Sequence, residues 1–163
     1  MQTKVTQSKI VYLNANFQPT KDKPIYVKKI LNRKYQELID NEISWLTKLN
    51  KLPWAPKIVS YDDSDIIMTY IGEGVTKSNL PKDWRLQVDS ILRDMDAIGC
   101  SHNDIKINEL LVQDGKLHLI DFHHMTTTRE EYMQKRKLGQ SGCRIRTTDH
   151  EAMFMILGNL EKR

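Results

Sequence analysis

Glycine is missing from the first part of the chain: among 163 residues the earliest is Gly72. A glycine-rich loop, in which backbone N–H groups close on a phosphate with no Cβ in the way, is therefore excluded from residues 1–71. Cysteine is almost as scarce. Cys100 and Cys143 cannot build a disulfide framework, and they fit a reducing cytoplasm, which is the expected location. No apolar run approaches the ~20 residues of a membrane span, and the start MQTKVTQSK lacks the apolar centre of a secretory signal, so no membrane partner is expected. Neither sign of charge dominates. A net charge of +4 permits a polyanionic partner without demanding one, and nucleic acid is not expected.

What is present is globular in composition, with 39% hydrophobic and 28% charged residues and no visible repeat. Residues 9–13 (KIVYL) and 25–31 (IYVKKIL) read as strands from their β-branched and aromatic content. A helical stripe of Tyr35, Ile39, Leu46 and Leu49 runs through residues 33–50, with Glu42 inside it. Pro53 and Pro56 end it, and KIVSYDD and DIIMTYI follow as a strand pair. Gly72 to Gly74, then Ser78, Asn79 and Pro81, read as a linker. A second helix spans about 83–98, with Gly99 as its stop. NELLV and KLHLIDF then form a hairpin about Asp114-Gly115, residues 123–147 are irregular and basic, and DHEAMFMILGNLEK is a last amphipathic helix.

Three carboxylates stand out. Glu42 lies either at the edge of its stripe in water or on the inward helix face, where it is costly unless paired; Lys28 and Lys29 on the neighbouring strand point to opposite faces, so either can be its partner. Asp104, within His102-Asn103-Asp104, and Asp121, within Leu119-Ile120-Asp121-Phe122, flank one hairpin whose pairing brings its ends together. Two carboxylates and a lysine at one point suit a divalent cation and phosphate better than acyl transfer.

These segments, in order, resemble protein kinases. HNDIKINELLVQDGKLHLIDF is similar to their catalytic loop and metal-binding strand, and NEISWLTKLN with APKIVSYDD to the end of the first-lobe helix and the strand after it. IYVKKI is similar to the lysine-bearing strand and DIIMTYI to the strand leading to the hinge. The resemblance covers roughly residues 20–125. It implies an α+β, minimal two-lobed protein-kinase-like fold, one kinase-like domain overall. Residues 1–71 would form a small antiparallel-sheet N-lobe with one helix, and residues 72–163 a shortened, mostly helical C-lobe.

By position, Lys28 would bind the ATP phosphates and be held by Glu42, and Asp104 would be the catalytic base. Asp121 would coordinate Mg²⁺ or Mn²⁺. Met68 would be the gatekeeper, and Thr69, Tyr70 and Ile71 the hinge that receives adenine. Asp149 would hold the catalytic-loop backbone. Lys106 matches a lysine that Ser/Thr protein kinases place near the transferred phosphate. It favours a protein hydroxyl acceptor over a small-molecule one.

The chain also departs from that pattern. Without the glycine loop, a turn such as Asn14-Ala15-Asn16 would have to cover the phosphates. The family's metal-binding asparagine falls on Glu109, with Asn108 one residue early; the aliphatic run Leu110-Leu111-Val112 favours Glu109 in the slot. His123 stands where the family has glycine, and the chain after Asp121 is too short for the usual peptide-docking helices. The implied activity is ATP-dependent transfer of a γ-phosphoryl group to a hydroxyl. A pseudokinase interaction module and a small-molecule kinase are the alternatives. The histidines show no structural zinc spacing, and Thr126 to Thr128 read as a solvated turn rather than a phosphorylation site. Nothing in the sequence sets the oligomeric state.

Overall fold

The computed structural model describes residues 9–128, 130–131 and 148–163. The described chain is α+β, with two small antiparallel sheets and three α-helices. The first sheet holds β1 (Lys9–Leu13), β2 (Tyr26–Ile30), β3 (Ile58–Tyr61) and β4 (Asp65–Thr69) in the order β1-β2-β4-β3. Helix α1 (Gln36–Lys48) packs against it and buries Ile39, Glu42, Trp45 and Leu46. Its first turn is 3₁₀, Arg33–Tyr35, with the Asn32 side chain accepting the Lys34 N–H. The α-helix therefore begins later than the apolar stripe alone suggests.

The second sheet is β5 (Glu73–Gly74), β6 (Leu110–Gln113) and β7 (Lys116–Leu119), with α2 (Trp84–Ile98) packed against β7 and α3 (Asp149–Lys162) against α2. Asp114 and Gly115 both have left-handed φ, 51° and 73°, which gives the β6–β7 turn the twist a tight hairpin needs. Thr148 caps α3 by accepting the Glu151 N–H. The main core joins Trp45, Leu46 and Leu49 of α1 and its end to Trp84, Val88 and Ile91 of α2, Leu117 and Leu119 of β7, and Met153 and Leu157 of α3. A smaller cluster of Leu31, Ile39, Ile66 and Met68 lies between α1 and the first sheet.

Two expectations meet the structure here. The segment read as a linker, residues 72–74, carries strand pairing, with Glu73 and Gly74 paired to Val112 and Leu111. Gly72 has φ +112°, and a Cβ there would lie 2.1 Å from the Val112 carbonyl oxygen, so this approach admits only glycine. The Asn14–Asn16 turn is also at the wrong end of β1. Asn14 Oδ1 accepts the N–H groups of Asn16 and Gln18 beyond Leu13, whereas Lys29 pairs with Ile10. The offset from Ile10 to Asn14 is about 13 Å at ~3.3 Å per residue. The basic run Lys135 to Lys137 lies outside the described residues.

Candidate functional site

Strand register decides which lysine reaches Glu42. Lys29 pairs with Ile66 and Ile10, and Lys28 pairs with Ile67 and Val11. Directly paired residues share a face, and Ile66 is on the face that packs under α1. Lys29 Nζ consequently donates to both Glu42 oxygens, at 2.9 and 2.8 Å, and to Asp121 Oδ1 at 3.1 Å. Lys28 turns to the other face and meets Asp65 Oδ2 at 3.4 Å. The lysine paired with Glu42 is thus Lys29, which corrects the expectation for Lys28.

The Lys29–Glu42 pair is deeply buried, with side chains 8% and 5% exposed. Burial alone would lower the Lys29 pKa, but Glu42 and Asp121 outweigh it and hold the ammonium above the usual lysine range. Asp121 follows the same logic with opposite sign. Burial would raise it, and Lys29, then His123, hold it below the ordinary aspartate value.

Asp121 owes its place to the backbone on either side. The Ile120 N–H donates to the Glu109 carbonyl at 3.1 Å. The Asp104 N–H donates to His102 Nδ1 at 3.2 Å, which leaves the ring proton on Nε2 to donate to the Ile120 carbonyl at 2.8 Å. His102 is fully buried and acts as a strut between the segment carrying Asp104 and the strand end carrying Asp121. Asp121 itself has φ 64° and Asn103 has φ 73°, so the backbone is turned at both ends of this junction.

From the opposite side, Asp149 fastens the same segment. Its Oδ2 accepts the His102 N–H at 2.7 Å and the Ser101 hydroxyl at 3.1 Å, and its Oδ1 accepts the Asn103 N–H at 2.9 Å. Asp149 does hold the backbone of residues 102–103. Thr126 is part of this scaffold rather than a solvated turn: it is 4% exposed, its backbone bridges Ser101, and its hydroxyl accepts from Asn103. Thr127 and Thr128 are exposed.

These elements enclose a cavity of about 250 Å³ along the inner face of α1, lined by Lys29, Glu42, Asp104, Lys106, Glu109 and Asp121 among others. Asp104 is 9% exposed and lies 3.3 Å from Lys106 Nζ. Glu109 is 7% exposed, and its Oε2 accepts the Lys106 N–H at 2.9 Å across a 3₁₀ turn, Ile107–Glu109. Asn108, the alternative position, is exposed and does not line the cavity. Burial, with the Asp121 and Asp104 charges adding to it, pushes the Glu109 carboxyl up to about 7.

The structure does not bring the expected adenine residues to this cavity. Met68 is buried in the cluster beneath α1. The Thr69 N–H donates to Lys57 and the Tyr70 N–H to Ile25, and none of Met68, Thr69, Tyr70 and Ile71 lines the cavity. Residues unforeseen from the sequence do reach the site. Asn41 on α1 donates through Nδ2 to the carbonyls of His123 at 3.0 Å and Met125 at 2.8 Å. His123 lines the cavity, with Nε2 4.0 Å from Asp104 Oδ2. Burial drives His123 down to about 3, with His124 and Lys29 adding to the effect, and burial also lowers His124.

No family model matches this chain, and no curated protein matches it. Among solved structures 1053 chains match. One is monomeric WbdD, 17% identical, with a TM-score of 0.51 over 85% of this chain; the chain spans 43% of the length of that structure. Likeness at this level of identity concerns the fold alone: the α+β arrangement described above has a counterpart among solved proteins.

Proposed function

We propose that this chain is a small protein-kinase-like phosphotransferase, with the nucleotide phosphates and a divalent cation in the cavity beneath α1. The observation that carries the reading is the Lys29 ammonium, fixed between Glu42 on α1 and Asp121 at the end of a hairpin that begins just after Asp104. Sequence order and geometry agree here with the pattern by which kinases place lysine, helix glutamate, catalytic aspartate and metal aspartate. The fold likeness to solved chains supports the same reading at the level of architecture. On this reading residues 1–71 and 72–163 are the two lobes.

The donor set fits a divalent cation. Glu42, Asp104, Glu109 and Asp121 face Lys29 and Lys106 within one cavity, an excess of negative charge that Mg²⁺ or Mn²⁺ would balance. Asp121 and Glu109 would hold the ion, which supplies charge neutralisation along the phosphates. Lys29 would bind phosphate oxygens while Glu42 keeps it in place. Asp104 would accept the proton of the acceptor hydroxyl as that oxygen bonds to the γ-phosphorus and ADP departs. Lys106, 64% exposed at the rim, would meet the transferring phosphoryl group, and this favours a protein hydroxyl as acceptor.

A second reading, a nucleotide-binding module without transfer, draws on Glu109, which adds a carboxylate beside Asp104 and Asp121. Incubation with γ-labelled ATP and Mg²⁺ or Mn²⁺, alone and with a generic protein acceptor, separates the two. Label on protein that is lost in Asp104→Asn, with nucleotide affinity within a few-fold, supports transfer. Nucleotide bound without labelled protein supports the second reading, and no nucleotide binding refutes both.

A further inference from the structure

The turn after Phe122 carries two adjacent imidazoles that phosphoryl transfer leaves unused. The side-chain donor atoms of His123, His124 and Asp104 all lie within 4.8 Å of one another. The backbone beneath them is fixed from both sides. The His123 carbonyl accepts from Asn41 on α1 at 3.0 Å, and the His124 carbonyl accepts from Asn103 at 2.8 Å. Phe122 and Met125, on either side of the pair, are fully buried, and the Met125 N–H donates to the Phe122 carbonyl at 3.1 Å. Asp104 is equally constrained, through its N–H to His102. Two rigid backbone segments thus present two nitrogens and a carboxylate to one point at the rim of the cavity.

We propose that Asp104, His123 and His124 form a site for a divalent ion of borderline softness, of the Zn²⁺ or Co²⁺ class. Two imidazoles and one carboxylate are a ligand set such ions accept, with a fourth position left for water or another ligand. Mg²⁺, which prefers an all-oxygen shell, has no reason to choose it. The ion would sit at ~2.0–2.2 Å from each donor, so the side chains draw inward by rotating about χ1 and χ2 while the pinned backbone stays. Asp104 then shares its lone pairs with the ion, and occupancy withdraws it from any acceptor hydroxyl. Ion binding itself does not depend on the phosphotransferase reading, since the Asp121 and Glu109 carboxylates are not among its ligands.

The test uses metal-stripped, untagged full chain titrated with Co²⁺ and followed by its visible ligand-field absorption, with Zn²⁺ measured by competition. One Co²⁺ per chain is expected, displaced by Zn²⁺ but not by a large excess of Mg²⁺. His123→Ala and His124→Ala should each weaken binding at least ~100-fold, above the 10–100-fold typical of outer-shell changes, and Asn41→Ala should fall within that lower range. His150→Ala, at an exposed helix position, should leave the titration unchanged. Circular dichroism of each metal-free variant separates lost ligation from lost folding, and either histidine variant that folds decides the matter. Absence of Co²⁺ binding overturns the proposal. So does binding that survives both histidine substitutions, or binding lost in Asp121→Asn but indifferent to the histidines, which would assign the ion to the carboxylate site of the phosphotransferase reading.

Discussion

Replacing Glu109 by glutamine tests the electrostatics of the cavity most directly. The carboxyl is held near 7 instead of its ordinary 4.5, by burial first and then by Asp121 and Asp104. Its folded value lies above the unfolded one. The stability it contributes is therefore full below pH 4.5, falls as pH rises through 7, and is lost above that. At ~1.4 kcal/mol per pH unit the penalty at pH 8 is capped at about 3 kcal/mol, and solvent relaxation around a site open to the cavity brings it to about 1–2 kcal/mol. Glutamine imitates the protonated carboxyl and keeps an oxygen to accept the Lys106 N–H, now at 2.9 Å. The variant should match the parent near pH 4.5 and exceed it at pH 8, by roughly 2–4 °C in Tm per kcal/mol. Thermal unfolding of both proteins from pH 4.5 to 8, with and without Mn²⁺, measures this. The cation should narrow the gap, because it favours the ionised form that only the parent has. Parallel pH profiles for the two proteins would refute the reasoning.

Much of this architecture is legible in the sequence, for definite physical reasons. The β1 and α3 limits follow from residue type and hydrophobic spacing, which are local properties. Glu42 was legible only in part, because a carboxylate in an apolar stripe can sit at its edge in water; the fold buries it. The choice between Lys28 and Lys29 was not legible, because β2 is apolar on both faces. Val27 and Leu31 flank Lys29 on one face, Tyr26 and Ile30 flank Lys28 on the other, and only pairing with β4 separates them. Strand β5 was hidden for a similar reason: the demand for glycine at position 72 is set by Val112, far away in sequence. Glu109 and Asn108 were separable in part, since the aliphatic run from Leu110 fixes the phase that buries Glu109 and exposes Asn108. The meeting of His123 and His124 with Asp104 has no local signature, because it depends on carbonyls pinned by asparagines on two other segments.

Three further substitutions test the site from its supports. Lys29→Met should destabilise by about 3–5 kcal/mol, since Glu42, whose carboxyl burial already pushes up, is left in the interior without its cation; on the phosphotransferase reading it should also abolish nucleotide binding. Lys28→Met, at a half-exposed pair with Asp65, should change stability by no more than ~1 kcal/mol in urea unfolding. Equal losses would mean that the register of β2 is wrong. Asp149→Asn reaches the site only through backbone. Its two oxygens take the His102 and Asn103 N–H groups at 2.7 and 2.9 Å, and an amide in that place turns one acceptor into a donor facing a buried N–H. One orphaned N–H and the loss of charge assistance should cost about 2–3 kcal/mol in urea unfolding. Asn103 holds φ 73° next to that contact, so Asp104 should lose alignment while Lys29, anchored on β2 and α1, stays in place. Labelled transfer should then fall far more than nucleotide affinity. A parallel fall in both would place Asp149 in general folding rather than in the positioning of Asp104, and unchanged stability would refute the contact itself.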